Sequence, residues 1–157
     1  MNILPSRPRQ MQNRRVFAIV ASQFNPEYVQ GLVDHAKREL EVLSPGAIVT
    51  TYEVPGAFEI PLVVQEVAAK GGIEAIIALG VIIRGETEHA DLIGEAVTHS
   101  LLDAGLRYRL PVIHEVLLVD TEEQARARTL ESELNRGTDA ARVAVQMAKT
   151  MAEFKTR

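Results

Sequence analysis

Four mainly apolar runs alternate with helical patterns along the chain. The runs at 16–21 and 75–83 are apolar throughout, as expected of parallel strands that are buried on both faces, and the longer one should be central. The run at 47–54 mixes threonine and glutamate with apolar residues, which favours an edge strand with one wetter face. A His-Glu pair interrupts the fourth run, at 112–119, and also favours an edge. This alternation predicts an α/β fold in which right-handed crossovers join parallel strands and helices cover both faces of the sheet.

Start and stop signals mark the helices between these strands. Asn25 before Pro26 predicts a capped first helix. Gly71 ends a second helix of about 59–70. The Thr-x-x-Gln pattern at 121–124 is typical of a capping box and predicts a short helix.

The third and last helices carry expectations about packing. The third is predicted at about 89–105, and the last at about 139–153, after a break at 135–137. The wide apolar stripe of the last helix indicates either deep packing or contact with another subunit. In the third helix we expect five residues to be buried: Leu92, Ile93, Ala96, Val97 and Leu101.

Composition and charge narrow the class of protein. The 157 residues are 46% hydrophobic and 24% charged, which predicts one globular domain at 15–157 behind a flexible segment at 1–14. The net charge of -4 argues against a bulk basic surface for nucleic acid, and no run reaches the ~18 apolar residues of a membrane span. The absence of cysteine excludes disulfides and thiolate chemistry. The first segment lacks the apolar core of a secretory signal, so we expect a cytoplasmic protein whose partners include neither nucleic acid nor a membrane.

Unusual residues follow three of the predicted strands, at 22–25, 55–59 and 84–89. Ligands of open parallel sheets bind outside the carboxyl ends of the strands. These loops therefore predict one cleft at one rim of the sheet. Topology alone gives this site without giving its chemistry.

The segment 84–89 has the features of an anion site. Gly85 permits close backbone approach, and a following helix start offers free N–H groups to an anion. Thr87 either caps that helix or donates to the anion, and His89 can transfer protons near neutral pH. The alternative interpretation is equally compatible with the sequence: Thr87 only caps the helix, and His89 is a solvated residue of its first turn.

Glutamates in the same segment weaken the anion interpretation unless a cation compensates. Glu86 and Glu88 place negative charge where the anion would bind. The candidate cations are four arginines, of which the last three are available from a neighbouring chain: Arg84, Arg126, Arg128 and Arg136.

Two aromatic residues lie at the predicted rim. Phe24 is suited to stack on a planar heterocycle, although a hydrophobic staple onto the next helix is the favoured alternative. Phe58 and Glu59 offer an aromatic face and an acceptor for hydroxyl groups, or else Glu59 only stabilises a helix first turn.

The His114-Glu115 pair costs a few kcal/mol in a buried strand unless its polar groups are satisfied. It indicates either a cleft or subunit boundary, or a solvated edge that discourages aggregation. His35 and His99 are predicted to be surface or satisfied residues. No histidine pair has metal-ligand spacing with a carboxylate partner, so no metal is expected.

Three longer segments resemble a known family. The sequences of 54–61, 78–89 and 123–128 look like signatures of the 6,7-dimethyl-8-ribityllumazine synthases, and the resemblance extends over 16–151. It implies a flavodoxin-like three-layer α/β/α sandwich with a four-stranded parallel sheet. It also implies the penultimate step of riboflavin biosynthesis, in which 5-amino-6-ribitylaminouracil condenses with 3,4-dihydroxy-2-butanone 4-phosphate. No metal or organic cofactor is implied.

The resemblance also implies roles for individual residues. His89 matches the catalytic, proton-transferring histidine, and Arg128 matches a phosphate-binding arginine from the adjacent subunit. Glu86 and Thr87 match the phosphate-binding turn, whose backbone N–H groups bind while the Glu86 side chain points away. The residues that match the pyrimidine and ribityl site are Phe24, Ala57, Phe58, Glu59, Val81, Ile82 and Ile83.

The chain departs from the family's pattern at two places. His114 stands where an aromatic or small residue contacts the neighbour's pyrimidine pocket, and Glu115 stands where glycine is frequent. A glycine-rich turn ending Asn-Lys-Gly is replaced by 129–137, in which Arg136 keeps the positive charge. A pentamer with its site at the subunit interface is expected, and a decamer or a sixty-subunit shell stays open. A catalytically weak flavin- or lumazine-binding protein, or a shell protein, is the alternative function.

Overall fold

The computed structural model describes residues 3–10, 15–86 and 88–155. Thr87 lies outside the described residues. The strands are β1 (Val16–Ser22), β2 (Ile48–Val54), β3 (Ala75–Ile83) and β4 (Val112–Val119). The helices are α1 (Pro26–Leu43), α2 (Ile60–Lys70, after a 3-10 turn at Ala57–Glu59), α3 (Ala90–Tyr108), α4 (Glu122–Thr129) and α5 (Arg136–Lys155).

The four strands form one parallel sheet in the order β2-β1-β3-β4. The predicted α/β class is confirmed, as are the edge positions of β2 and β4 and the internal position of β3. All nine residues of β3 are buried, which explains why that strand is apolar throughout.

Each face of the sheet packs on its own helices. Alternate side chains of β3 point to opposite faces. Ile77 and Leu79 join the core under α1 and α5, while Ile76 and Ala78 join the core under α2 and α3. The result is the flavodoxin-like three-layer α/β/α sandwich. In the described residues, no helix is both long and apolar enough to span a bilayer.

The packing prediction for α3 is wrong at two of its five positions. Val97 and Leu101 are buried, but Leu92 is 66% exposed and Ala96 is also exposed. The helix continues to Tyr108, and Leu102 and Leu106 are exposed as well. Apolar residues lie on more than one face of α3, and only one face meets the sheet. Periodicity alone does not show which apolar face that is.

Two predicted helix starts differ in detail. At the start of α4 the Thr121 hydroxyl accepts from the Gln124 N–H (3.1 Å), but the Gln124 side chain accepts from the Asp120 N–H rather than from Thr121. Helix α5 begins three residues earlier than predicted. The Asn135 side-chain oxygen accepts from the N–H groups of Gly137 and Thr138, which satisfies the first donors of that helix.

One buried carboxylate joins the first segment to α1 and α5. Glu39 is 5% exposed and accepts from Arg7 and from Arg142, at 2.6 Å from the Arg142 Nε. Arg142 also donates to the Pro5 carbonyl. Burial alone would raise the pKa of Glu39, but hydrogen bonds and charge from the two arginines outweigh it and lower that pKa.

Candidate functional site

The loops after β1 and β3 are joined directly at one rim of the sheet. The Asn25 side-chain amide donates to the Val81 carbonyl at 2.8 Å and to a Glu86 carboxylate oxygen at 3.1 Å. The Gln23 N–H donates to the Val54 carbonyl at the end of β2. The turn at 57–59 contacts β1, β3 and α3. The structure therefore brings the three predicted loops together.

The rim offers two exposed aromatic side chains. Phe24 is 57% exposed and Phe58 is 64% exposed. This exposure of Phe24 disagrees with the staple interpretation, which requires the ring to pack onto α1. Ala57 is half-buried, and the Glu59 side chain is exposed. Aromatic faces that are open to solvent are available to a flat ligand.

At the end of β3 the side chains are buried, so that only the backbone is left to face the rim. Val81, Ile82 and Ile83 are 1%, 6% and 5% exposed, so their side chains belong to the two cores. The Ile83 carbonyl accepts from the Glu86 N–H at 3.2 Å. The side chains of these three residues are therefore not available at the rim, and only their peptide groups could face a ligand there.

Arg84 stabilises the loop between β3 and α3. Its guanidinium donates to Asp91 in the first turn of α3, at 3.0 and 3.1 Å, and to Asp120 after β4, at 2.6 Å. These hydrogen bonds to Asp120 and Asp91 raise the pKa of Arg84. Gly85 has φ 94°, a conformation that favours glycine. Arg84 thus connects the loop to its neighbours on both sides.

The placement of Glu86 differs from the arrangement that the resemblance implies. Its N–H is engaged with the Ile83 carbonyl, and its carboxylate is held at the rim by Asn25. His89 is exposed and immediately precedes α3, where its carbonyl accepts from the Ile93 N–H. The loop therefore presents His89 on the same side of the fold as Glu86.

His114 is a satisfied, neutral histidine on the α3 face of β4. Its Nδ1 accepts from the Val116 N–H at 3.1 Å, so the ring proton belongs on Nε2, which lies 2.7 Å from the Thr98 hydroxyl. Thr98 in turn donates to the Gly94 carbonyl. Burial lowers the pKa of His114.

Glu115 points to the other face of β4 and is 7% exposed. It accepts two hydrogen bonds from Arg136, each at 3.2 Å, and Arg136 also pairs with Asp139 at 2.9 Å. Burial raises the pKa of Glu115 to about 7, against the opposing charge of Arg136. The polar pair in β4 is thus satisfied within the chain, and Arg136 is held between two carboxylates.

The raised pKa of Glu115 predicts a pH-dependent stability. Between pH 4.5 and about 7 the folded chain keeps a proton that the unfolded chain has released. The stability that this group contributes is present below pH 4.5 and is lost as pH rises through about 7, a difference of up to about 3 kcal/mol. Thermal unfolding should show wild type losing stability relative to Glu115→Gln between about pH 5 and about pH 8. If the stabilities of wild type and Glu115→Gln changed with pH in the same way, the raised pKa could not belong to Glu115.

An apolar groove of about 770 Å³ runs along the β4 edge between α3 and α5. His114 and Glu115 line it, and three large side chains are well exposed there: Leu102, Leu106 and Phe154, at 60%, 69% and 67%. An exposed apolar surface of this kind marks an interaction site.

Arg128, the arginine that the resemblance assigns to the phosphate, does not line this groove. Arg128 is half-buried and lies beside Ile3, Leu4, Leu134 and Arg136. Its neighbour Arg126 is exposed and lies 3.8 Å from Glu27. The structure thus gathers Phe24, residues 57–59, 81–83, Glu86 and His89 at one rim. It places His114 on β4, Arg136 against Glu115 of β4, and Arg128 beside Arg136.

Sequence reasoning missed Asn25 and the carboxylates around the arginines. Asn25 occupies the N-cap position of α1 with Pro26 after it, as predicted, but its φ of 56° and ψ of 57° are left-handed and its side chain makes no capping hydrogen bond. An asparagine before a proline is the only signal, and it is shared with ordinary caps. The partners of Arg84 and Arg136 are up to 36 residues away, beyond the reach of local patterns.

The fold and the rim define an α/β protein that presents a small-molecule site at the carboxyl ends of its parallel strands. The family model described as 6,7-dimethyl-8-ribityllumazine synthase matches residues 14–152. A protein of that name from Burkholderia vietnamiensis (strain G4 / LMG 22486) is 46% identical over 136 residues, covering 85% of this chain and 78% of the relative.

Two further relatives carry the same name. The protein of Burkholderia cenocepacia (strain HI2424) is 46% identical, and that of Burkholderia multivorans (strain ATCC 17616 / 249) is 44% identical. Each alignment covers 85% of this chain and 77% of the relative. The chain belongs to the 6,7-dimethyl-8-ribityllumazine synthase family and is a transferase of riboflavin biosynthesis.

Proposed function

We propose that the chain condenses 5-amino-6-ribitylaminouracil with 3,4-dihydroxy-2-butanone 4-phosphate to give 6,7-dimethyl-8-ribityllumazine, phosphate and water, in the cytoplasm. The observation that carries this proposal is the family match over 14–152, which includes every residue assigned to the site. The test is to incubate the protein with both substrates and to follow lumazine absorbance and released phosphate. Binding of the pyrimidine or of a flavin without turnover would favour a binding protein instead.

The rim residues suit the pyrimidine substrate. The exposed rings of Phe24 and Phe58 offer faces on which the flat ring stacks, and the exposed Glu59 carboxylate accepts from ribityl hydroxyls. Peptide groups at 81–83 bind the polar edge of the ring, because the side chains there are buried. These contacts hold the amine ready to attack the ketone.

The reaction needs positioning more than strong acid–base catalysis. The amine attacks the ketone carbonyl, and one molecule of water leaves to form an imine. Phosphate is then expelled, and the ribitylamino nitrogen attacks the remaining carbonyl to close the second ring with loss of a second molecule of water. Holding two substrates in register supplies much of the rate by itself. His89, exposed at the start of α3, is placed to move protons during these steps.

His89→Ala should therefore lower kcat without abolishing it. A proton-transfer residue contributes about 10²–10⁴-fold, and binding of both substrates by the other rim residues persists. Steady-state kinetics with both substrates varied measures this effect. His99→Ala is the matched control, since His99 is an exposed histidine further along the same helix. An unchanged rate in His89→Ala would remove His89 from the mechanism.

The phosphate of the second substrate binds the turn that follows β3. Binding to the Glu86 N–H requires that group to exchange the Ile83 carbonyl for a phosphate oxygen. Thr87 and Arg128 complete the site, with Arg128 coming from an adjacent copy. The positive charge of Arg128 offsets the negative charge of the Glu86 carboxylate.

The active site is shared between copies in a homo-oligomer, of which a pentamer is the expected form. The apolar groove beside β4 supports this proposal, because three large exposed side chains there become buried when a second copy covers them. His114 lines the groove and so contacts the neighbouring copy's pyrimidine site. Arg136, held by Glu115 and Asp139, keeps a positive charge beside Arg128.

Mixing two impaired variants tests the shared site, with activity assayed at a ketone concentration far below the KM expected for Arg128→Ala. One variant carries Phe24→Ala and His89→Ala, and the other carries Arg128→Ala. Mixed rings from co-expression should regain intact sites at about one quarter of their interfaces, because each site combines one residue set from each copy. Activity of the co-expressed variants, compared with the two variants mixed after separate assembly, measures this. Equal activity in both preparations would show that each site lies within one chain.

A further inference from the structure

Asn25 is the strained residue of the rim. Its φ of 56° and ψ of 57° lie in the left-handed region, which few non-glycine residues adopt and which asparagine adopts more readily than most. Pro26 follows, and a residue before proline is ordinarily extended. Strain of this kind persists only where surrounding contacts impose it, and it concentrates at functional sites.

The contacts that hold Asn25 join two different loops. Its amide donates to the Val81 carbonyl at 2.8 Å and to the Glu86 carboxylate at 3.1 Å. Phe24, directly before it, is left more than half exposed. One amide group thus uses its two hydrogens to connect the loop that carries Phe24 with the end of β3 and with the turn after it.

We propose that Asn25 is a positioning residue that fixes the pyrimidine subsite at Phe24 relative to the phosphate subsite at Glu86. This inference rests on the proposed function of both subsites. The bond to Val81 fixes the loop to the sheet, and the bond to Glu86 sets the orientation of the phosphate turn. The left-handed backbone turns the chain so that Phe24 faces solvent while the amide faces the sheet. Asn25 acts through these neighbours, and the chemistry itself belongs to other residues.

Asn25→Gly separates positioning from folding. Glycine adopts the left-handed conformation without strain, so the backbone persists while both side-chain hydrogen bonds are lost. We expect kcat to fall about 10-fold or more, because a misplacement of the reacting groups is costly. The dissociation constant of the pyrimidine measured alone should change less than about 3-fold, and Tm should change by no more than about 3 °C.

Three further variants define the result. Gln23→Ala removes an exposed amide from the same loop, one that donates to Glu53 at 3.3 Å, and should leave kcat unchanged. Glu86→Ala should lower kcat in wild type but have little further effect in Asn25→Gly, because the shared hydrogen bond is already absent. Aspartate also tolerates the left-handed backbone, but its side chain has no N–H to donate to Val81 or Glu86. Asn25→Asp should therefore reproduce the loss of kcat.

The outcomes distinguish this inference from the proposed function. An inactive wild-type protein in the assay with both substrates would overturn the proposed function itself. An active wild type with an equally active Asn25→Gly variant, or with fully additive effects of Asn25→Gly and Glu86→Ala, would overturn the positioning role alone. Failure of both Asn25 variants to fold would also overturn it, since the residue would then serve folding rather than positioning.

Discussion

Arg128→Ala is expected to raise the KM for the phosphorylated ketone by about 100-fold and to leave the KM for the pyrimidine nearly unchanged. A guanidinium–phosphate contact is charge-assisted and bidentate, and loss of one partner of such a pair costs about 2–5 kcal/mol. Only one of the two substrates carries a phosphate. Initial rates with each substrate varied at saturation of the other measure the two KM values separately.

Arg126→Ala is the matched control for this experiment. Arg126 lies two residues earlier on α4 and has the same charge, but it is exposed and lies 3.8 Å from Glu27, a surface pair of little energetic value. Its removal should change neither KM. Equal increases in both KM values for Arg128→Ala would contradict a role at the phosphate.

Leu102→Glu is expected to dissociate the oligomer and to reduce activity by more than about 10-fold. Leu102 is 60% exposed in the chain and lines the apolar groove, so the substitution would bury an unpaired carboxylate at each interface. Burial of an uncompensated charge costs several kcal/mol per site. Sedimentation velocity and the two-substrate assay on the same samples measure both effects.

Leu106→Glu, one turn further along the same helix face, should behave in the same way. Val42→Glu is the matched control, because Val42 is an apolar residue 46% exposed on α1, outside the groove. A Leu102→Glu protein that keeps the wild-type sedimentation coefficient would show that the groove is not the interface. A wild-type protein that is monomeric and fully active would contradict the shared site altogether.

The sheet could be predicted because its signals are local. The bounds of β3 follow from an unbroken apolar run, and those of β4 follow from a run that only His114 and Glu115 interrupt. The edge positions of β2 and β4 follow from the polar residues within them. The outward face of α3 could not be predicted, because Leu92 is apolar in sequence and only its partner surface decides whether it is buried.

The meeting of the loops at the site could be predicted, but the side-chain contacts that join them could not. Strand order brings the loops after β1, β2 and β3 to one rim, so their meeting follows from topology. The connections made by Asn25, Arg84 and Arg136 depend on side-chain directions across the fold, and the sequence contains no local signal for them. The position of Asn25 at the start of α1 is predictable from its residue type and from the proline after it, but the direction of its side chain, away from the helix and towards Val81 and Glu86, is not.

The single carboxylate of Glu39 makes the chain's N-terminal segment sensitive to acid. Because the pKa of Glu39 is lowered in the folded chain, its contribution to stability is present above about pH 4.5 and is lost as pH falls through the folded value. Protonation would weaken the bonds from Arg7 and Arg142 together, since both arginines share this one acceptor group. In acid the segment at 3–10 would therefore keep the hydrogen bonds from Arg142 to Pro5 and from Gln10 to Val42 but be held less tightly, and it would become more open to proteolytic trimming while the sheet is still intact.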